Sequence, residues 1–365
     1  MVERVIIIGA TGSVGRTLVR QMVEKDMGTE HRNPTMIIGM ASRDNLAFDL
    51  NGIPPEKALA FAARKATGKE THSSNVIGDI FSILKVCWEP IRVIDATASR
   101  EILDLHLRII GETTNHTIVT ANKNPVALSS YDDFFRLVSE TGRYGLRCSV
   151  MAGAEAVNKV MDLKDLGVSI KSIEGCFSGT LGFISDRINK AGMLSAALKS
   201  AMEKGYTEPH PASDLDGSDV AKKILILARL AGHRLELSDV RVSPFVPEEY
   251  MREKDLGKFV AGIEKLDKEF KERGREAIGK GNVLRYVARL SADNGKPTVC
   301  VGLEEVAADG PLGDLSGTLN RIVIKTDLPG SMHYAVTAPG AGLEITGQNI
   351  RRDLLHQIRD RRLVV

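Results

Sequence analysis

The chain has 365 residues, 43% hydrophobic and 26% charged, an ordinary globular composition that is long enough for two domains. The net charge of +2, with acids and bases mixed throughout, argues against a nucleic-acid or membrane partner. The four cysteines lie far apart and form no CxxC motif, so we expect neither a disulfide framework nor structural zinc. The chain shows no leader-like segment and no apolar run of membrane-spanning length, which predicts a cytoplasmic protein.

Short β-branched segments alternate with helical patterns over the first 150 residues. Strands are predicted at residues 5–8, 36–40, 93–95 and 118–120. Apolar residues between the first two strands, from Val14 to Val23, recur at helical spacing. A strand, a glycine turn, a helix and a second strand form a βαβ unit, so the region predicts an α/β fold with a Rossmann-type, doubly wound parallel sheet.

A glycine-rich turn made by Gly9, Gly12 and Gly15 follows the first strand and opens the first helix. Glycines let the backbone approach a pyrophosphate closely, and a helix N-terminus offers unpaired N–H groups with partial positive charge. The spacing is GxxGxxG rather than the commoner GxGxxG, which affects the loop geometry more than the ligand class. We predict dinucleotide binding here, with a purely structural turn or another nucleotide as the alternative.

The end of the second strand should choose between NADP and NAD. Ser42 and Arg43 suit the 2′-phosphate of NADP, whereas Asp44 suits the free ribose hydroxyl of NAD. We favour NADP through Arg43 and keep NAD as the alternative.

Asn122 and Lys123 follow the strand at residues 118–120. They are therefore expected at the carboxyl edge of the parallel sheet, where ligands bind in open α/β folds. An ordinary polar loop fits the same position equally well.

The second half of the chain predicts a separate α+β domain. Its strands are expected at residues 172–177, 283–290, 298–301 and 321–324, and its long helices around 218–231 and 256–272. We therefore predict a dinucleotide-binding domain over residues 1–150, completed by residues 338–365, and a second domain over residues 151–337.

The helix around residues 218–231 carries Asp219 and Lys223 four residues apart, on one face near its N-terminus. A carboxylate can orient an ammonium, and partial desolvation makes lysine a usable proton donor. An ordinary surface ion pair is the alternative. The acids that precede the pair, Glu208, Asp214 and Asp216, lie in a stretch broken by proline and glycine, which favours a ligand-binding loop.

At these residues the chain resembles homoserine dehydrogenase. The family pattern GYTEPxPxxDLxGxDVAxKxxIL is met at residues 205–227, and an asparagine–lysine loop is met at residues 120–125. The segment FSGTLxxI appears at residues 177–184, and a glycine-rich loop appears at residues 338–342, followed by Thr346. The matches run in order over essentially the whole chain.

The resemblance implies that a homodimer reduces aspartate 4-semialdehyde to homoserine with NAD(P)H, in threonine and methionine biosynthesis. Lys223 would act as general acid and base, and Asp219 would orient it or the substrate. Glu208 and Asp214 would hold the substrate's amino group and hydroxyl. Lys123 would reach the reacting end or the carboxylate of the substrate, and Gly179 and Thr180 would line the pocket. The predicted cofactor contacts are Gly9, Thr11, Gly12, Ser13, Val14, Gly15, Arg43, Thr97, Asn122, Lys123 and Gly342.

The family also implies a Na⁺ or K⁺ ion on main-chain carbonyls, which corresponds here to Val150, Ala152 and Ala154. Arg147 stands where the family usually has glutamate. Because a guanidinium repels a cation, this departure argues against the metal site. Neither an aspartate kinase domain nor a C-terminal regulatory domain is expected, so feedback by threonine through such a domain is not expected either.

Two alternatives stay open. An aspartate-semialdehyde dehydrogenase often has a similar glycine loop, but it needs a thiolate paired with histidine. Cys148 is the only cysteine near the right stretch, and no matching histidine context follows it. A non-catalytic NADP-binding sensor is the second alternative, and the intact Glu208, Asp219, Lys223 and Lys123 argue against it.

Overall fold

The structure, a computed structural model, describes residues 2–27, 34–65, 70–140, 142–292, 296–329 and 333–362, without the side chains of residues 360–362. The chain divides into two compact units, one of Met1–Gly153 with Ala341–Val365 and one of Ala154–Gly340. We call them unit 1 and unit 2. Among the residues described, no helix is both long and apolar enough to cross a membrane.

The described part of unit 1 contains a seven-stranded sheet with the order β4-β3-β2-β1-β5-β6-β7. Its strands are β1 Glu3–Ile8, β2 Thr35–Ala41, β3 Asn45–Phe48, β4 Glu70–His72, β5 Ile91–Asp95, β6 Thr117–Thr120 and β7 Tyr144–Gly145. The five strands from β2 to β7 in the sheet order are parallel, and β3 and β4 form an antiparallel edge. The order reverses at β1, where β2 lies on one side and β5 on the other. Open α/β sheets bind ligands at such a switch point.

The helices of unit 1 begin with α1 Ser13–Lys25, α2 Pro55–Ala62, α3 Val76–Val86, α4 Leu103–Glu112, α5 Asn124–Ala127 and α6 Tyr131–Val138. Helix α1 buries Leu18, Val19 and Met22 against β1, because these residues recur on one face of the helix. Together with the parallel strands, these helices confirm the predicted Rossmann-type α/β fold. The four strands predicted for the first 150 residues all lie within β1, β2, β5 and β6.

Unit 2 is an α+β unit whose described strands form a six-stranded sheet with the order β13-β12-β8-β10-β11-β9. Its strands are β8 Ile170–Cys176, β9 Val240–Val242, β10 Asn282–Ser291, β11 Thr298–Ala307, β12 Leu319–Thr326 and β13 His333–Pro339. Its helices are α7 Ala156–Asp165, α8 Gly179–Asn189, α9 Leu194–Glu203, α10 Ala212–Leu215, α11 Ser218–Leu230, α12 Glu248–Met251, α13 Leu256–Glu264 and α14 Asp267–Gly279. Helix α11 is central, with ten of its 13 residues buried.

The prediction of one long helix over residues 256–272 is wrong in one respect, because the structure divides this segment into α13 and α14. The carboxylate of Asp267, the first residue of α14, accepts hydrogen bonds from the backbone N–H and hydroxyl of Ser195 at 2.8 and 2.6 Å. This tertiary contact is invisible to periodicity. The predicted apolar face is nevertheless buried, since Phe259 is 1% exposed and Phe270 is 2% exposed.

The last helix, α15 Leu343–Arg362, belongs to unit 1. Ile350, Leu354 and Ile358 recur every four residues, are at most 1% exposed and pack in the same core as α1. The side chain of Gln357 donates to the carbonyl of Ile118 in β6 at 2.7 Å. The C-terminal helix is therefore part of the core of unit 1.

Gly15 gives a test of the packing between α1 and the glycine turn. A Cβ at Gly15 would lie 2.1 Å from the Gly9 carbonyl oxygen, and this backbone atom cannot move aside cheaply. We expect Gly15→Ala to lower the free energy of unfolding by about 1–3 kcal/mol, the usual cost of overpacking. Urea denaturation without added ligand measures the change.

The matched control is Gly111→Ala in α4, where the new Cβ would meet its nearest atom at 3.7 Å. Alanine there should keep or raise stability, because glycine disfavours a helix. Equal stability of the Gly15→Ala and Gly111→Ala variants would contradict the packing described for the turn.

Candidate active site

The glycine turn lies at the carboxyl end of β1 and leads directly into α1. Gly9 has φ +79°, and a Cβ there would lie 2.9 Å from both the Ala96 carbonyl oxygen and the Thr97 side chain. Gly12 is the N-cap of α1 and supplies no side-chain hydrogen bond to the helix. The start of α1 is therefore open to an anion at the predicted place. The other predicted contacts around it are Thr11, Ser13 and Val14.

The turn between β2 and β3 carries the residues predicted to choose the cofactor. The carbonyl of Ala41, the last residue of β2, accepts from the backbone N–H groups of Gly9 and Ala10 at 3.0 Å, which joins this turn to the glycine turn. Arg43 and Asp44 are both exposed. The Asp44 carboxylate accepts from the amide of Asn45 at 3.0 Å. The antiparallel hairpin β2–β3, which the sequence did not predict, thus presents the guanidinium and the carboxylate on one turn.

A buried carboxylate organises the carboxyl ends of β5 and β6. Asp95 is fully buried and accepts from the Thr97 hydroxyl at 2.7 Å and from the Thr120 hydroxyl at 3.1 Å. Asn122 donates to the Ser99 carbonyl at 2.7 Å, which fixes the loop that holds Lys123. The structure therefore brings Thr97, Asn122 and Lys123 to one edge of the sheet. Sequence reasoning missed Asp95, although an acid that ends an apolar strand is a usable signal.

Gly342 lies apart in sequence, one residue before α15, with φ +145°. Its carbonyl accepts from the Thr346 hydroxyl at 2.7 Å. The start of α15 is tied to α1, because the amide of Gln21 donates to the Glu344 carbonyl at 3.0 Å and to its carboxylate at 2.9 Å.

Lys223 carries a buried ammonium in unit 2 with two described acceptors. Its side chain is 10% exposed, and Nζ lies 2.7 Å from Oδ2 of Asp219. Nζ also donates to the carbonyl of Phe177 at 2.7 Å. The Asp219 side chain is 43% exposed, so the pair joins a buried ammonium to a carboxylate that solvent reaches. A buried charge is tolerated only where it is paired and hydrogen-bonded. The sequence did not predict the contact with the Phe177 carbonyl, because every residue has a main-chain carbonyl and the residue type does not show which one binds.

Carboxylates gather beside this lysine. Oδ2 of Asp214 accepts from the backbone N–H of Glu208 at 2.9 Å. The Thr180 hydroxyl has one proton, which it shares between the Tyr206 carbonyl and Oδ1 of Asp214, 3.3 Å away. Burial raises the pKa of Asp214, and the negative charges of Glu208 and Asp219 raise it further, while the two hydrogen bonds oppose the shift.

Two glycines allow close packing around this group. A Cβ at Gly179, the first residue of α8, would lie 3.1 Å from the Thr318 carbonyl oxygen. Gly217, the N-cap of α11, has φ +76°, and a Cβ there would lie 1.9 Å from the hydroxyl oxygen of Tyr286. Unit 2 thus brings together every predicted substrate-binding residue, with Asp219 and Lys223.

Cys148 does not suit the chemistry of the alternative enzyme. Burial raises the pKa of its thiol well above the ordinary value, so the thiolate nucleophile is disfavoured. The charged groups that influence it are Asp353, Arg352 and Arg147, and none of them is a histidine.

The main-chain carbonyls predicted to hold a monovalent cation already accept hydrogen bonds. The Val150 carbonyl accepts from the N–H of Gly153 at 3.1 Å, and the Ala154 carbonyl accepts from the N–H of Ala156. The Ala152 carbonyl accepts from the side-chain amide of Asn349 at 2.7 Å. Arg147 precedes these residues in the same segment, and the guanidinium of Arg352 donates to the Gly153 carbonyl. These residues do not fit an alkali cation.

The fold, the glycine turn with its neighbours in unit 1 and the acidic group around Lys223 in unit 2 define a Rossmann-type α/β protein with a second α+β unit. The sequence matches the family described as homoserine dehydrogenase over residues 157–355. It is 32% identical to the homoserine dehydrogenase of Schizosaccharomyces pombe over 275 residues, which cover 73% of this chain and 72% of that protein. The chain belongs to the homoserine dehydrogenase family.

Other relatives are longer or more distant. The bifunctional aspartokinase/homoserine dehydrogenase of Buchnera aphidicola is 32% identical over 269 residues, which cover 73% of this chain and 32% of the relative. The chain thus spans about a third of the length of that relative. A solved structure of a hyperthermophilic archaeal homoserine dehydrogenase in complex with NADPH has a TM-score of 0.74 and 20% sequence identity. The match covers 99% of this chain and 98% of that one.

Thr180 tests the arrangement of the acids. We expect Thr180→Val to raise the pKa of Asp214, because a hydroxyl near a carboxylate favours its ionised form. The same change should cost about 1 kcal/mol of stability, since the Tyr206 carbonyl loses its donor. Carbon-detected NMR titration of the Asp214 carboxyl measures the first effect, and urea denaturation measures the second.

Thr180→Ser is the control, because it keeps the hydroxyl and should leave the Asp214 pKa near that of the unchanged chain. If the valine variant titrates like the serine variant, the hydroxyl does not act on Asp214.

Proposed function

We propose that this chain reduces aspartate 4-semialdehyde to homoserine with NADPH or NADH. The observation that carries the proposal is the group in unit 2 in which three carboxylates, Glu208, Asp214 and Asp219, accompany one buried ammonium, that of Lys223. This excess of negative charge suits a substrate with its own ammonium group. The buried lysine suits a carbonyl oxygen that becomes an alkoxide.

Lys223 acts as the proton donor in this proposal. Asp219 and the Phe177 carbonyl hold Nζ in one position, which orients an N–H bond toward the substrate oxygen. In the direction of homoserine oxidation, the same amine is the base. Asp219 keeps the lysine in place and balances its charge.

Glu208 and Asp214 bind the substrate's ammonium and hydroxyl. Glu208 is exposed and able to meet an incoming ligand, whereas Asp214 is held from two sides by the Glu208 N–H and the Thr180 hydroxyl. Gly179 and Thr180 line this site. Fixed acceptors of this kind position the substrate before the reaction.

The glycine turn of unit 1 suits the pyrophosphate of a dinucleotide, which supplies the hydride for the reduction when bound. The uncapped start of α1 offers N–H groups to the phosphates. Thr97, Asn122, Lys123 and Gly342 complete the proposed contacts. Arg43, exposed on the β2–β3 turn, would bind the 2′-phosphate of NADP. The archaeal structure with NADPH supports the NADP form.

We further propose that the chain functions as a homodimer in the cytoplasm, with dimerisation assigned to the second domain. The resemblance to the family supports the dimer, and the four free thiols agree with a reducing compartment.

Turnover tests the role of Lys223. Purified protein should oxidise NADPH in the presence of aspartate 4-semialdehyde, and Lys223→Ala should lower kcat by about 10²–10⁴-fold, the usual contribution of general acid catalysis. Loss of nicotinamide absorbance measures both. Lys222→Ala, one residue earlier on α11, is the control and should keep most of the activity.

A Lys223→Ala variant as active as the control would remove the lysine from the mechanism. Absence of turnover in the unchanged chain, despite tight binding of NADPH, would favour the sensor alternative.

Arg43 tests the cofactor preference. We expect Arg43→Ala to raise KM for NADPH by about tenfold or more while the KM for NADH changes little, because only NADPH carries the 2′-phosphate. Steady-state kinetics with both cofactors measure the ratio. Asp44→Ala serves as the control, and an unchanged ratio in Arg43→Ala would contradict this assignment.

A further inference from the structure

The loop over residues 147–153 has an unusual backbone. It consists of two short 3₁₀ turns, Arg147–Ser149 and Met151–Gly153. Met151 and Ala152 have φ of +51° and +50°, and Gly153 follows with φ +87°. Left-handed backbone is costly for residues with a Cβ and persists only where the surroundings hold it. The contacts to this loop should therefore show what holds its backbone in this conformation.

Helix α15 supplies the support through its side chains. The amide of Asn349 donates to the Ala152 carbonyl at 2.7 Å, and the guanidinium of Arg352 donates to the Gly153 carbonyl. Residues three apart share a helix face, so both donors point to the same loop. The fit is tight, because a Cβ at Gly153 would lie 2.6 Å from the Cβ of Asn349.

The loop also receives positive charge from the protein itself. Asp353 is fully buried and accepts from the backbone N–H of Arg147 at 3.0 Å and from its guanidinium at 2.6 Å. Burial raises the pKa of Asp353, and the charges of Arg147 and Arg352 oppose this shift. Asp353 pairs with the guanidinium of Arg147, and the guanidinium of Arg352 donates to the Gly153 carbonyl. An inorganic cation would have to enter against the charge of Arg352 and compete with the existing donors.

We propose that the guanidinium of Arg352, supported by the Arg147–Asp353 pair, replaces an alkali cation at this loop. The stability of the protein then does not depend on Na⁺ or K⁺, and its catalytic rate does not depend on them either. The statement on rate rests on the proposed function, whereas the statement on stability does not.

Thermal unfolding of the full chain tests the proposal. Melting is followed in NaCl, KCl and tetramethylammonium chloride at equal ionic strength, because the tetramethylammonium ion is too large for a site made of carbonyls. We expect the same melting temperature in the three salts, and the same NADPH turnover with aspartate 4-semialdehyde. A saturable rise of the melting temperature in Na⁺ or K⁺ alone would overturn the proposal. Absence of turnover with salt-independent melting would instead sink only the proposed function.

A variant makes the test specific to the guanidinium. Arg352→Met keeps much of the side-chain volume and removes the donor to Gly153, so it should melt several degrees lower in tetramethylammonium chloride and recover part of the loss in Na⁺ or K⁺. Arg351→Met is the control: it breaks the pair with the buried Asp26 but no described bond to the loop, so its loss of stability should be the same in the three salts. If Arg352→Met melts like the unchanged chain, or is equally low in all three salts, the guanidinium does not act in place of a cation.

Discussion

The buried ammonium of Lys223 is the constraint on which the candidate site depends. A charge removed from water must be matched by nearby acceptors, and here a carboxylate one helical turn earlier and a main-chain carbonyl from the end of β8 meet this need. The two acceptors come from different elements, so α11 and the β8–α8 connection must keep one relative position. Gly217, which admits the Tyr286 hydroxyl, and the buried faces of α11 maintain it.

Unit 1 shows a similar arrangement, in which one buried carboxylate orders the edge of the sheet that is proposed to bind a ligand. Asp95 binds the hydroxyls of Thr97 and Thr120, and the loop of Asn122 follows from that arrangement. The glycine turn is ordered differently, by close backbone contact rather than by side chains. In both units, the side chains proposed to bind ligands are held in place by hydrogen bonds with neighbouring groups.

Much of this arrangement could be predicted from the sequence, because it depends on local patterns. The βαβ unit followed from β-branched segments and the glycine turn, and the shared face of Asp219 and Lys223 followed from their spacing of four. The resemblance to the family added the roles of Glu208 and Asp214.

The remaining features depend on contacts between distant segments. At the break between α13 and α14, Asp267 binds Ser195, which lies 72 residues away in sequence. The Phe177 carbonyl and the donors from α15 to the 147–153 loop are of the same kind. The β2–β3 hairpin was missed because its strand β3 has only four residues, too few for a reliable alternating pattern.

The proposed reaction transfers hydride to the carbonyl carbon of an aldehyde bound in unit 2, while Lys223 protonates its oxygen. Incubation of the full chain with aspartate 4-semialdehyde and NADPH carrying two deuterium atoms at nicotinamide C4 tests it most directly, with mass spectrometry of the product. We expect homoserine with one deuterium on its hydroxyl-bearing carbon. Homoserine without deuterium, or no homoserine despite bound cofactor, would contradict it.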